Sequence, residues 1–472
     1  MNRLGSQHRK LLYLGGMVLL LIPITTLGMP AGSTPGSGGV VSNLRKEYDL
    51  GESDLGTLDP TGAAMNLALL GFRGMAANVL WMQADRQKNH KDWEGMRNTT
   101  EQIVHLQPHF VKIWDFNSWN LAYNVSSEWD AISDRYFWVK EGGKFLMKGV
   151  DRNRRSPDLR WYVGRIYGPK IGLSDEAKYF RRFFRQDPDP KFNGGVDPEW
   201  NDGNEDHYLV AKRWFQEAND EEAKGKVRQT IQDRSLFRSY PARSQLDYAT
   251  ALQKYGFSEE FDRTVGSQKL GDAEREAAEE RIRTQLREQT REAWKLGFDD
   301  WTGKYGQEFF DVEFLNHRVK IKMEMTEDEV QAFSKTPQEA VALRAAVDQY
   351  QKITNYRYWR TRSLCEAEPE TAEAHWQLFA AVEQYRKASL DKAQARAEEA
   401  MKLFDSVLQR YPELRTQDDF IEQAVKAVLV WYRVHQLNAE KTPETFPLKD
   451  LWDEAQPRLK EFSDRLDREL RQ

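Results

Sequence analysis

The chain has 472 residues, 30% charged and 40% hydrophobic, with 69 basic and 74 acidic residues and a net charge of −5. So even a balance excludes a partner recognised by bulk basic charge, nucleic acid above all. A single cysteine, Cys365, excludes an intrachain disulfide and every CxxC-type metal or haem site.

Residues 1–10 carry Arg3, Arg9 and Lys10, and 11–28, LLYLGGMVLLLIPITTLG, contain no charge. At 1.5 Å per residue such a helix reaches ~27 Å, enough for a thin hydrocarbon core. Basic residues ahead of it predict a cytoplasmic N-terminus, an inner-membrane span at 11–28 and export of the remainder to the periplasmic side. The rival reading is a cleaved signal peptide, although TTLGMPAG is a poor cleavage site and no lipobox cysteine follows. Residues 29–59 begin MPAGSTPGSGG and read as a flexible tether.

From residue 60 onward a 3.6-residue period dominates and alternating β-branched runs are scarce, which predicts an all-α fold. The first region, 60–186, reads as helix pairs. One is 62–87 with 91–107, closed by Pro108. The next is 109–126 with a helix from Trp129 to about 150, bent at Gly142-Gly143. Ser156-Pro157 predicts an N-cap with proline in the first turn. Residues 187–206, rich in Pro, Gly, Asp and Asn, form a loop or boundary. A middle helical region covers 207–340 and includes a highly charged helix at 272–296. The final region, 341–472, contains RAEEAMKLFDSVLQRYPEL. Here Ala400, Phe404, Val407 and Pro412 follow the second-helix pattern of a tetratricopeptide (TPR) repeat, with 369–388 as the first helix. The expected architecture is a TPR-like superhelix behind one N-terminal transmembrane helix.

The densest aromatic stretch is 106–130, LQPHFVKIWDFNSWNLAYNVSSEWD. At 100° per residue, Val111, Trp114, Ser118, Leu121 and Val125 make one stripe, and Phe116, Trp119 and Tyr123 a second. One stripe suffices for a surface helix. Two predict contacts on two sides, which a repeat packed between neighbours requires. If the second side instead faces a concave groove, the candidate ligand residues are Lys112, Asp115, Trp119, Asn120, Tyr123 and Asn124. The two amides, four apart, would then address a peptide backbone.

FRGMAANVLWMQAD, IVHLQPHFVKIWDFNSWNLAYNVSSEWD, DRYFWVKEGGKFL, GPKIGLSDEAKYFRRFF and SYPARSQLDYA together resemble an uncharacterised group of membrane-anchored, TPR-like proteins of planctomycete bacteria. The likeness covers residues 60–260. It implies a fold and a location and no activity.

No GxSxG, HExxH, Walker-type or dinucleotide-binding motif occurs, and nothing calls for a metal or cofactor. DPEWNDGNED (197–206) departs from an EF-hand in the place of its glycine and in Tyr208 at its twelfth position. The arginine clusters at 151–160 and 179–187 are readable as solvated helix faces or as contacts for an acidic partner or lipid headgroups. The expected role is a non-catalytic, membrane-tethered scaffold that binds a protein or peptide in an envelope complex, beside a transporter or secretion assembly. The alternatives are a helical-toroid enzyme acting on glycans, which needs two converging carboxylates, and a purely structural spacer.

Overall fold

The computed structural model describes residues 73–266, 271–314 and 317–471, with 13–17, 19, 22, 23, 40, 43 and 44 near the N-terminus. The expected anchor at 11–28, the tether at 29–59 and the start of the first helix lie largely outside the described residues. Among the described residues, no helix is long and apolar enough to cross a membrane. The chain divides into two compact units, Met1–Ile166 with Glu217–Thr230, and Tyr167–Gln216 with Ile231–Gln472.

The first unit contains α1 (Arg73–Asn89), α2 (Trp93–Leu106), α3 (Val111–Trp119), α4 (Ile132–Arg152) and α5 (Pro157–Arg165). Asp92 caps α2 by accepting from the Gly95 amide, and the helix ends just ahead of Pro108. The Pro108 carbonyl then accepts from Trp114 Nε1 and Asn153 Nδ2, each at 2.9 Å, which ties the start of α3 to the end of α4. Ser156 caps α5 through the Leu159 amide with Pro157 in the first turn, as the sequence predicts. The 217–230 segment is held by Asp158, which accepts from the Thr230 amide at 3.1 Å and its hydroxyl at 2.6 Å.

The glycine pair expected to bend α4 lies inside an uninterrupted helix. Gly142, and Gly149 two turns further along α4, serve close approach instead. A Cβ on Gly142 would stand 2.8 Å from the Ser118 carbonyl oxygen, and one on Gly149 2.8 Å from the Trp114 ring. Glycine lets α4 lie against α3 at distances no side chain permits. Gly149→Ala is therefore expected to destabilise the first unit by about 1–3 kcal/mol through overpacking. Urea denaturation measures this, and an unchanged midpoint would show that Trp114 can move aside.

The second unit is also helical, with one exception. It holds α6 (Ala177–Arg185), most of α7 (His207–Ala223), α8 (Arg234–Thr264) and α9 (Asp272–Phe298), followed by the hairpin of β1 (Phe310–Phe314) and β2 (His317–Ile321). The strands pair antiparallel with Phe310 opposite Ile321 and Val312 opposite Val319. Phe310, Val312 and Ile321 are buried while Asp311 and Glu313 are exposed, the alternation of a half-buried hairpin. Leu246, Trp294, Trp301, Tyr356 and Trp359 complete that core.

Helices α10 (Glu327–Phe333), α11 (Pro337–Ile353), α12 (Tyr356–Glu366), α13 (Pro369–Arg386), α14 (Leu390–Arg410), α15 (Asp418–Leu437), α16 (Lys449–Ala455) and α17 (Leu459–Arg471) complete the unit. The helix α13 packs along α14, and α14 along α15. Ala400, Phe404 and Val407 are fully buried in this core with Met401, Ala424, Val428 and Trp431.

Candidate functional site

The first unit carries an open cleft of about 480 Å3, lined by Trp81 and Lys88 of α1, Lys112, Asp115, Phe116, Trp119 and Asn120 of α3 and the turn after it, and Tyr162 and Arg165 of α5. Its size falls within the roughly 300–1,000 Å3 of small-ligand and peptide-anchor pockets.

The two stripes of α3 explain why the cleft is there. Trp114, Ser118, Leu121 and Val125 are buried, so the first stripe is core. Phe116 and Tyr123 are only half-buried, and Trp119 is 42% exposed. The second stripe thus borders the cleft and is packed only in part: Phe116 meets Trp81 of α1, while Trp119 is left exposed. Beyond Trp119 the helix widens into a π-helical segment, Asn120–Val125, a local underwinding often found at functional sites. Tyr123 stacks behind Trp119 at 3.9 Å between ring centroids and 14° between planes.

Each cation of the cleft lies over a ring. Lys88 Nζ is 5.4 Å from the Phe116 centroid, Lys112 Nζ 5.9 Å from that of Tyr162, and the Arg165 guanidinium 5.4 Å from Trp119 and 5.3 Å from Trp161. Trp81 meets Phe116 at 4.7 Å with a 49° tilt. Asp115 supplies the one carboxylate of the lining. Burial pushes its pKa up, against the opposing pull of Lys112 and a hydrogen bond from Tyr162. Burial, reinforced by the charges of Asp115 and Asp158, raises the Tyr162 phenol, which stays protonated at any physiological pH.

Of the six residues expected from the sequence, Lys112, Asp115, Trp119 and Asn120 line this cleft. Tyr123 supports Trp119 from behind. The amides are committed locally: Asn120 Nδ2 donates to the Phe116 carbonyl at 2.7 Å, and Asn124 Nδ2 donates to Asn120 Oδ1 at 2.6 Å. They stabilise the widened turn rather than standing ready for a peptide backbone. Sequence reasoning missed Trp81, Lys88, Tyr162 and Arg165. They come from helices remote in sequence, and nothing local marks them.

A second cluster of charge is buried in the second unit. Arg181 is 3% exposed. Its Nε donates to Glu259 at 2.7 Å, its Nη2 to Asp206 at 2.8 Å and its Nη1 to His207 Nε2 at 2.8 Å. His207 Nδ1 lies 2.6 Å from the Tyr167 carbonyl, an acceptor only, so Nδ1 carries the proton and Nε2 accepts. Burial lowers the His207 pKa to about 4. Arg181 therefore belongs neither to a solvated face nor to a surface docking patch. Around it, the loop that follows α6 is folded inward: Trp200 stacks on Tyr167 at 4.1 Å and hands its carbonyl to the Tyr167 hydroxyl.

Among the described residues, no group of three His, Cys, Asp or Glu side chains is placed to hold a metal ion. Burial, with the charge of Glu366 beside it, drives the Cys365 thiol far above its ordinary value, so it is held as the unreactive thiol. The fold and the cleft together define a mostly helical protein with an aromatic, basic recess on its first unit. No family model matches the sequence, and no curated protein matches it.

Proposed function

We propose that this chain is a membrane-tethered, non-catalytic scaffold with TPR-like helical hairpins, which binds a protein or peptide partner in the cleft of its first unit. The reading includes the resemblance to the planctomycete group, an inner-membrane anchor at 11–28 and a periplasmic placement of the bulk of the chain. The observation that carries it is Trp119, a large aromatic left 42% exposed at the centre of a concave, positively charged recess. Trp, Tyr and Arg are over-represented among the residues that carry binding energy at protein interfaces. The burial of Ala400, Phe404 and Val407 on α14 against α13 supports hairpins of the TPR type. A glycan-acting enzyme would need a second carboxylate opposite Asp115, and the lining contributes none.

Affinity purification of the full chain from its native membrane tests the reading. Wild-type protein is expected to recover a discrete partner, and Trp119→Ala to lose it while melting within about 1 kcal/mol of wild type, since the side chain is half in water. Equal recovery by both proteins would remove the cleft from the account.

A further inference from the structure

The charge pattern of the cleft names its occupant more closely, an inference that rests on the binding role proposed above. Three cations, Lys88, Lys112 and Arg165, stand against the single carboxylate of Asp115. None of the three forms an ion pair with a described carboxylate; each is seated over an aromatic ring, and the hydrogen bonds of Lys112 to the Tyr162 hydroxyl at 3.5 Å and of Arg165 to Tyr123 go to neutral phenols. A cation over a ring is held less firmly than one bonded to an anion, so all three keep most of their capacity for a charged ligand. The Arg165 guanidinium adds a planar fork that matches a carboxylate through two parallel hydrogen bonds. The rings set the rest. Trp119 already has Tyr123 stacked on it and Arg165 against it. Trp81 and Phe116 meet at 49°, a wedge and not a parallel-walled slot. At 4.7 Å between centroids these two rings touch, so a flat nucleobase finds no pair of open faces to enter, whereas a compact apolar side chain needs only one apolar surface to lie against.

We propose that the cleft takes an acidic peptide segment, its carboxylate held by Arg165 together with Lys112 and Lys88, and an adjoining apolar side chain laid against the Trp81–Phe116 pair. A basic segment is rejected by the same three cations. Asp115, bonded by Tyr162 and faced by Lys112, offers it little in return.

The test is fluorescence anisotropy with the full chain in detergent or nanodiscs. The probes are short labelled peptides that alternate Glu with Phe or Leu, and matched sets in which Gln or Lys replaces Glu. The Glu set is expected to bind about tenfold more tightly than the Gln set, and the preference to shrink as salt rises. Arg165→Gln removes that preference and leaves the Gln set unchanged. Lys112→Gln, an exposed position whose change does not threaten folding, reduces it in the same direction. Equal binding of the Glu and Gln sets overturns the acidic assignment while leaving the cleft a peptide site. Competition by ATP as strong as that of the Glu peptides, with the same dependence on Arg165, overturns it in favour of a nucleotide. Binding of no peptide overturns it too, and partner recovery that depends on Trp119 then decides separately whether the wider reading stands.

Discussion

Replacing Arg181 with alanine is expected to cost the second unit about 3–5 kcal/mol. Arg181 is the common partner of Asp206, Glu259 and His207. Burial works against its charge, but Asp206 and Glu259 outweigh burial and raise its pKa further. Burial alone would likewise raise the Asp206 carboxyl, and Arg181 reverses this and holds it below its ordinary value. Removing the guanidinium leaves Asp206 buried with no counter-charge of comparable reach. The measurement is urea denaturation followed by tryptophan fluorescence. Arg182→Ala serves as the control: that side chain is one residue on and exposed, so its loss changes stability by no more than about 0.5 kcal/mol. A loss below about 1 kcal/mol for Arg181→Ala would mean that water enters and solvates the orphaned carboxylates.

The second large effect is acid sensitivity through His207. Its folded-state pKa is lowered to about 4, first by burial and then by the Arg181 charge, from an ordinary value of 6.5. Between those two values the unfolded chain binds the proton and the folded chain does not. Stability therefore rises with pH across this window. The contribution is complete above about pH 6.5 and is lost as the pH falls through 4, a change of about 3 kcal/mol for a shift of that size. The Asp206 carboxyl, lowered below 3.8, acts in the same direction but at still lower pH, so the two windows are separable. His207→Gln keeps an acceptor for Arg181 and removes the titration. Its stability is expected to be flat from pH 6.5 to 4.5 where the wild type declines. An equal decline in both proteins would assign the effect to other groups.

How much of this could be read from the sequence depended on whether the signal was local. The α5 start was legible because Ser156 and Pro157 carry helix-initiation chemistry in two adjacent residues. The inward face of α14 was legible because Ala400, Phe404 and Val407 repeat at helical spacing. The β1–β2 hairpin departs from an otherwise helical reading. Its period-2 pattern, F-D-V-E-F and H-R-V-K-I, was present but spans only five residues a strand, too few to stand out. Arg181 was misread because arginine invites a surface assignment. Yet Ala177, Phe180, Arg181 and Phe184 fall at i, i+3, i+4 and i+7, which places the charge on the buried face.

The cleft was half legible. The second stripe of α3 was visible as Phe116, Trp119 and Tyr123, but periodicity cannot say whether a second face meets a neighbouring helix or water. That is decided by α1 and α5, which supply Trp81, Lys88, Tyr162 and Arg165 from the two sides and leave Trp119 uncovered between them. The amides at 120 and 124 had the spacing of a recognition pair and became the internal bonds of a widened turn. A side-chain hydrogen bond to the preceding turn competes with any ligand for the same group.

The central claim is that this cleft holds a partner, and site-specific photocrosslinking in the native membrane tests it most directly. A photoreactive residue at position 112, on the exposed rim of the cleft, is compared with one at Leu437, an exposed position on the second unit. The account predicts a discrete crosslinked product from position 112 that disappears on Trp119→Ala and on Arg165→Gln, and no such product from position 437. No product from position 112, or the same products from both positions, would contradict it.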